Sequence, residues 1–453
     1  MSEASVAEQL AARVTTLDAG KLPAAVRVKC EDLVVDVAGL CVTARNEDYV
    51  KSALAGCDDD GPCTAIGHTR TLSAVSAAFV NGTAAHGEDF DDTFEGGPVH
   101  AGAVIVPAVL AACERQKRDG KAALIGIAVG CEVMCRLSTV VPKAVHKAGF
   151  HPTAIFGVMG AAAGVAATLG LNAKQIVDAL GIAGSFASGI IEYLTDGAWT
   201  KRLHPGWAAQ SGYRAALLAR SGFFGPRTVF EGTHGLFHGF AHTTQGDYDA
   251  LLGDFGKHWV IETLAFKPYP CGTMAHPYID CARRLAARGI KASDVKEMIC
   301  EVGEGTVHRL WEPLASKQRP PNGYAAKFST PFILASGFVR GGVGLDAFTE
   351  EAVRDPAVLV LAAKVRYVVD PANPYPKAFT GHIRAVLNDG RVIEERQPHF
   401  RGGAKEPLTQ ADIVEKFALN ARHGGWDEAR ANAALKVLAK LYDGNVDLVS
   451  LRG

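Results

Sequence analysis

The chain has almost no net charge. Lysine and arginine total 47 against 48 for aspartate and glutamate, a balance of -1. No global field therefore draws it to nucleic acid or to an anionic membrane, and any anion it binds is held by local groups. It also lacks the basic-then-apolar layout of a signal peptide. MSEASVAEQLAARV is a polar start followed by an amphipathic run, which predicts a cytoplasmic protein with reduced cysteines. Long apolar runs are missing too: Ala101 to Cys113 and Ile125 to Val129 are too short, or too interrupted by glycine and charge, so no transmembrane segment is expected. The ten cysteines are scattered. The closest pair, Cys131 and Cys135, sits at helical spacing with no matching second pair, and reads as buried core. No GxSxG, P-loop, GxGxxG after a strand, or HExxH occurs, which removes the commonest hydrolase, nucleotide and metalloprotease signatures.

What is present points to a folded chain of two domains. At 453 residues it exceeds the size at which single cores stop growing, and 48% apolar with 21% charged residues is a globular balance. Residues 4 to 265 read as successive helices, with apolar positions three and four apart. Val75 to His86 and Ala154 to Leu169 are so rich in small residues that their helices are expected to pack closely inside a helical layer. In LNAKQIVDAL, Asn172 followed three residues later by Gln175 signals a helix start. After Phe266 short β-branched runs appear at Lys296 to Val302, Lys364 to Val369 and His382 to Leu387, and Asn388-Asp389-Gly390 before RVIEE is a hairpin signal. With helical patterns at Met274 to Ala287 and Ser329 to Val339 they make an α+β unit. From Leu408 the pattern returns to helix, capped by Thr409, and this segment is expected to rejoin the first domain.

The densest group of chemical side chains is NGTAAHGEDFDDTFEGGPVHAG, with His86, Glu88, Asp89, Asp91, Asp92, Glu95 and His100 in a short stretch. Acids gathered at the end of an alanine-rich helix are costly to desolvate unless paired or functional. One reading is a solvated helix end: Asp91, Asp92 and Glu95 face water, Gly96-Gly97-Pro98 stops the helix, and His100 caps the next one. Another takes Asp91-Asp92-Thr93-Phe94-Glu95 as a DDxxE motif holding magnesium and a diphosphate, with Asp91 and Glu95 one helical turn apart. No second acidic set accompanies it. Basic groups lie elsewhere: Lys201, Arg202 and His204 beside Trp199 and Trp207, just before a helix whose N-terminus favours anions, and Lys267 in the proline-bounded turn FKPYPCG. His151 opens the apolar helix of GFHPTAIFG, either as a cap or as an acid/base group, and Cys271 reads as core or cleft lining.

Together these stretches resemble the MmgE/PrpD family of 2-methylcitrate dehydratases, cis-aconitate decarboxylases and iminodisuccinate epimerases. The resemblance is carried by NGTAAHGEDFDDT with His100 and Pro107, GFHPTAIFGVMGAAAGVAATLGL, LTDGAWTKRLHPGWAAQSG, FKPYPCGTMAHPYIDCA and KFSTPFILASGF. It implies a mainly α fold: a large all-helical domain from residues 1–267 and 405–453, with a smaller α+β lid domain over 268–404. It also implies a homodimer that uses no metal and no organic cofactor. The residues the family places in its cleft correspond to Asp89, Thr93, His100, His151, Lys201 and Lys267.

The resemblance implies a dehydratase-like lyase acting on a small di- or tricarboxylic acid of the 2-methylcitrate or aconitate type, through proton abstraction next to a carboxylate. Epimerisation and decarboxylation of a related acid are the family alternatives. Lys201, Lys267 and His100 are assigned to carboxylate binding and to the developing negative charge, and His151 or Asp89 to proton transfer. Thr93, Arg202, His204 and Phe332 stand on the substrate-binding side. Phe332 occupies a place where decarboxylase-type members often carry a tyrosine, and FEGGPV between Thr93 and His100 is glycine-rich; both features argue against cis-aconitate decarboxylation. A magnesium-dependent diphosphate enzyme and a catalytically silent dimeric binding protein are the readings from other classes.

Overall fold

The computed structural model describes residues 3–453, and the chain divides into two compact units, Met1–Ala265 with Thr409–Gly453, and Phe266–Leu408. The fold is mainly α with small sheets. The helices of the first unit include α1 (Val6–Val14), α2 (Ala24–Ala44), α3 (Asp48–Ala55), α4 (Ala74–Gly87), α5 (Gly102–Gln116), α6 (Gly120–Val140), α7 (Ala144–Lys147), α8 (Pro152–Leu169), α9 (Ala173–Phe186), α10 (Tyr193–Asp196) and α11 (Thr200–Arg220). Short-range signals set several starts. Asn172 and Gln175 close a reciprocal capping box on α9, Ser5 and Glu8 do so on α1, and Asp119 caps α6. The C-terminal helix Gln410–His423 starts on a Thr409–Asp412 box and packs on α2, where the Lys416 ammonium lies 2.7 Å from the Asp36 carboxylate.

Small residues let the central helices approach closely. Gly126 and Gly130 of α6 face Gly160 and Gly164 of α8, and a Cβ on Gly160 would stand 2.7 Å from the Gly130 carbonyl oxygen. α4 and α11 cross at Gly82 and Gly206, where a Cβ on Gly82 would lie 2.7 Å from the Gly206 Cα and one on Gly206 would run into the Phe79 carbonyl oxygen. This crossing brings the first turns of α11 beside the end of α4. Gly206→Ala is therefore expected to cost about 1–3 kcal/mol or more, seen as a thermal midpoint several degrees lower. A variant as stable as the wild type would contradict the close crossing.

Two of these core helices, α6 and α8, are long and apolar enough to cross a membrane. In α6 this is because the helix continues through the glycines and charges that bound the Ile125 to Val129 run, read from sequence as too short. In the structure 89% of each apolar window is buried inside the protein, which accounts for the composition as helical core.

The first unit is not wholly helical. Two small antiparallel sheets are present, β1 (Cys63–Thr64) with β2 (Thr71–Leu72), and β3 (Thr93–Phe94) with β4 (Leu264–Ala265). The division between units also falls at Ala265 and Leu408 instead of 267 and 404. The Phe266 amide donates to the Gly402 carbonyl and the Gly402 amide to that of Glu406, tying Lys267 and residues 405–408 into the second unit. That unit holds a four-stranded sheet in the order β6 (Val365–Val369), β5 (Val295–Val302), β7 (Gly381–Leu387), β8 (Val392–Gln397). β5 and β6 are parallel, the other pairs antiparallel, and Gly390 turns the β7–β8 hairpin at φ +87°. Helices His276–Ala287 and Thr330–Arg340 pack with the sheet around a core that includes Ile279, Met298, Trp311, Phe332 and Ile383.

Candidate active site

The acidic stretch is a tight reversal whose carboxylates point inward. α4 ends at Gly87, and Asp89 takes a left-handed backbone at φ +56°, uncommon for a residue with a side chain. The chain then folds back, so the Asp91 carboxylate lies 2.7 Å from Nδ1 of His86. Asp91 and Asp92 are both fully buried. Asp92 does the work of a cap from outside the helix: its two carboxylate oxygens accept from the amides of Ala101 and Gly102 at 2.9 and 2.8 Å, at the start of α5, where Ala101 itself offers no side-chain cap. A Cβ on Gly102 would lie 2.5 Å from that carboxylate, so the cap requires glycine there. Burial pushes the Asp92 carboxyl up to about 8, and the charges of Asp91 and Asp36 push the same way against the two amide hydrogen bonds.

His100 does not cap α5. Its Nδ1 lies 2.7 Å from the Asp92 carbonyl oxygen and 3.6 Å from the Asp91 carboxylate. A carbonyl only accepts, so Nδ1 of His100 carries the proton, and in the neutral ring Nε2 holds the lone pair. The solvated helix end is thus replaced by a buried turn, in which Glu95 alone of the three named acids is exposed.

Other elements bring further groups to this turn. His151 stands at the N-cap of α8 with Pro152 next, makes no capping bond, and places Nδ1 3.1 Å from Nδ1 of His204 on α11. One of those nitrogens donates and the other accepts. Lys201 and His204 lie within the first two turns of α11, not before it, and the Lys201 ammonium is 3.1 Å from the Asp89 carboxylate. The rings of His86, His100 and His151 form a triangle with centroid separations of 4.9, 5.8 and 6.4 Å. Burial lowers the His86 imidazole, more than Asp91 lifts it. Burial also holds His151 well below the ordinary value, with His86, Lys201, His204 and His100 adding to the effect, and brings His204 down to about 4.

Residues 8–249 match the MmgE/PrpD N-terminal domain and residues 269–440 its C-terminal domain. The chain belongs to the MmgE/PrpD family. Similar proteins include human cis-aconitate decarboxylase, 30% identical over 82% of this chain and 77% of that one. Cis-aconitate decarboxylase-like protein oryM of Aspergillus oryzae is 27% identical over 92% and 90%, and cis-aconitate decarboxylase of Aspergillus terreus 26% over 92% and 89%.

In this MmgE/PrpD chain Asp89, His100, His151, Lys201 and His204 come together in the first unit, and Thr93 follows directly in β3, half-buried. Arg202 is turned onto α3, its guanidinium 4.4 Å from the centre of the Tyr49 ring. His204 also lines a cavity of about 570 Å³ with Tyr193, Leu203 and Trp207. Lys267 is buried in the second unit, as is Cys271, and Phe332 is part of that unit's apolar core. The DDxxE reading needs a helix between Asp91 and Glu95. The segment is instead extended and paired with Leu264–Ala265, with one acid buried and the other exposed.

Among the described residues, His86, Asp91 and His100 bring ligand atoms close enough to hold a cation. The Nδ1 atoms that face Asp91 are hydrogen-bond donors, however, so this arrangement suits protons better than a metal ion. In the sequence His86 stands out only as part of the acidic stretch. The usable signal was a histidine on an alanine- and glycine-rich helix, five residues before an aspartate.

The lowered imidazoles predict pH behaviour. Turnover that relies on neutral His151 and His204 is expected to keep its acid limb below the ordinary imidazole value of about 6.5, measured as kcat between pH 4 and 8. A limb at or above that value would contradict the burial of these rings. The sign for stability follows from the same shift. Unfolded His204 takes up a proton near 6.5 and the folded residue only near 4, so its contribution is present above 6.5 and lost as pH falls toward 4.

Proposed function

We propose that this chain is a lyase acting on an aconitate-type di- or tricarboxylic acid by proton chemistry at a carbon next to a carboxylate. The observation that carries the reading is the gathering of three imidazoles, His86, His100 and His151, beside the Lys201–Asp89 pair. An ammonium group recognises a carboxylate and stabilises negative charge spreading onto it. An imidazole with a free lone pair takes a proton from carbon and returns it. Loss of that proton, or of carbon dioxide, leaves an electron pair next to a carboxylate, which expels hydroxide or is quenched by a proton. Lys267 is proposed as a second carboxylate binder.

Similarity to proteins named cis-aconitate decarboxylases favours loss of carbon dioxide; dehydration and epimerisation are the alternatives. Proton NMR in deuterated water against citrate-, aconitate- and succinate-type acids separates them. One acid is expected to exchange a proton at carbon, to lose or gain water, to invert, or to lose carbon dioxide and take up one deuteron in its place. A panel in which no acid does any of these, while one raises the thermal midpoint, would leave a binding protein and overturn the reading. Prior dialysis against EDTA is expected to leave turnover unchanged; a loss restored by magnesium would favour the diphosphate enzyme.

We also propose a homodimer. Ile190, Leu194, Trp199 and Trp207 are exposed apolar side chains close together in the chain, which supports a protein-covered surface. Light scattering is expected to give twice the chain mass, and a monomer at micromolar concentration would refute it.

A further inference from the structure

Of the three gathered imidazoles His86 is the most deeply buried, and the Asp91 carboxylate beside it is fully buried as well. His86 is 1% exposed, and its Nε2 has no hydrogen-bond partner among the described residues. A buried polar atom left this way costs about 1–3 kcal/mol, so stability alone disfavours histidine at the end of this helix. What His86 does supply is a donor. Its Nδ1 holds one oxygen of the Asp91 carboxylate at 2.7 Å, and the other oxygen lies 3.6 Å from Nδ1 of His100.

We infer that His86 and Asp91 act through His100: His86 orients Asp91, and Asp91, with the Asp92 carbonyl, keeps the His100 proton on Nδ1 so that Nε2 presents its lone pair. The Asp91 carboxylate, 3.6 Å from Nδ1 and so beyond hydrogen-bond reach, acts on the ring through its charge, which raises the affinity of Nε2 for a proton as carboxylates behind reactive imidazoles do. Both are positioning residues. The other charged or titratable groups around His100 are His151 on α8, Lys201 and His204 on α11, and Asp89 and Asp92 in the turn itself, with Asp36 on α2 acting on Asp92. Asp91 places a carboxylate oxygen 3.6 Å from Nδ1 of His100.

The kinetic arm of the test rests on the lyase reading, while a spectroscopic arm does not. For the kinetics, Asp91→Asn is expected to lower kcat about 10- to 100-fold, change KM less than threefold, and move the acid limb of the pH profile to lower pH. His86→Gln keeps an N–H within reach of Asp91 and is expected to recover most of the activity lost in His86→Ala. An Asp91→Asn profile with an unmoved limb, or a His86→Gln variant no better than His86→Ala, overturns the inference. For the spectroscopy, ¹⁵N-histidine NMR of the full chain, assigned with His100→Gln, reads the ring without any substrate. His100 is expected in the Nδ1–H form in the wild type and in a mixture or the Nε2–H form in Asp91→Asn. An Nε2–H ring in the wild type sinks the inference even where no acid is turned over, and absence of turnover with the expected ring form sinks the lyase reading alone.

Discussion

Replacing His100 by alanine is expected to lower turnover of the acid identified by NMR between a hundred- and ten-thousandfold, with the thermal midpoint nearly unchanged. The two halves of that expectation have separate causes. Catalytically, His100 is the most exposed of the three clustered imidazoles, at 13% for its side chain, and its proton on Nδ1 leaves Nε2 as the atom able to meet a substrate. Structurally, the variant loses the hydrogen bond to the Asp92 carbonyl, a loss of about 1 kcal/mol. His100→Gln, which retains an N–H for that carbonyl, is expected to be at least as stable and equally slow. Steady-state kinetics beside thermal melts decide the matter, and a His100→Ala variant turning over at the wild-type rate removes His100 from the mechanism.

The second large effect falls on stability. Asp92→Ala leaves the amides of Ala101 and Gly102 without their acceptors at the buried start of α5. At about 1–3 kcal/mol for each stranded donor, the loss is expected to reach several kcal/mol by denaturant unfolding. Asp92→Asn keeps one acceptor oxygen and is expected to lose less. The pH dependence follows from the carboxyl being raised from 3.8 to about 8 in the folded chain. The folded protein holds a proton that the unfolded chain releases above 3.8, so this contribution is greatest below 3.8 and declines as pH rises to 8. Asn lacks that decline, so the stability gap between Asp92→Asn and wild type is expected to narrow from pH 5 to pH 8. A gap that widens would mean that Asp92 is ionised throughout.

These predictions concern residues whose roles were legible to different degrees. Asn172 with Gln175, and Thr409 at the C-terminal helix, were readable because a capping box lies within four residues of chain. The strands at Val295–Val302 and Gly381–Leu387 were readable from β-branched runs around a turn signal. The segment from Asp91 to Phe94 was not, because its conformation depends on pairing with Leu264–Ala265, far along the chain, and on burial that no local pattern encodes. Composition made Asp91 and Asp92 look like solvated acids or metal ligands. Tertiary contacts made one an anchor for His86 beside His100, and the other a helix cap.

By itself, the sequence determined the helix starts at Asn172 and Thr409, the strands around Lys296 to Val302 and His382 to Leu387, and which motifs mark the MmgE/PrpD family, because caps, turn residues and hydrophobic periods act over one or two turns of chain. It also drew attention to the acidic stretch and to His100, His151 and Lys201. Only the tertiary structure decided that Asp92 caps α5, that Arg202 turns onto Tyr49, that Phe332 belongs to a core, and that His86 stands behind Asp91. Those outcomes depend on which helices cross at their glycines and which carboxylates lose water, and both are set by packing between residues distant in sequence.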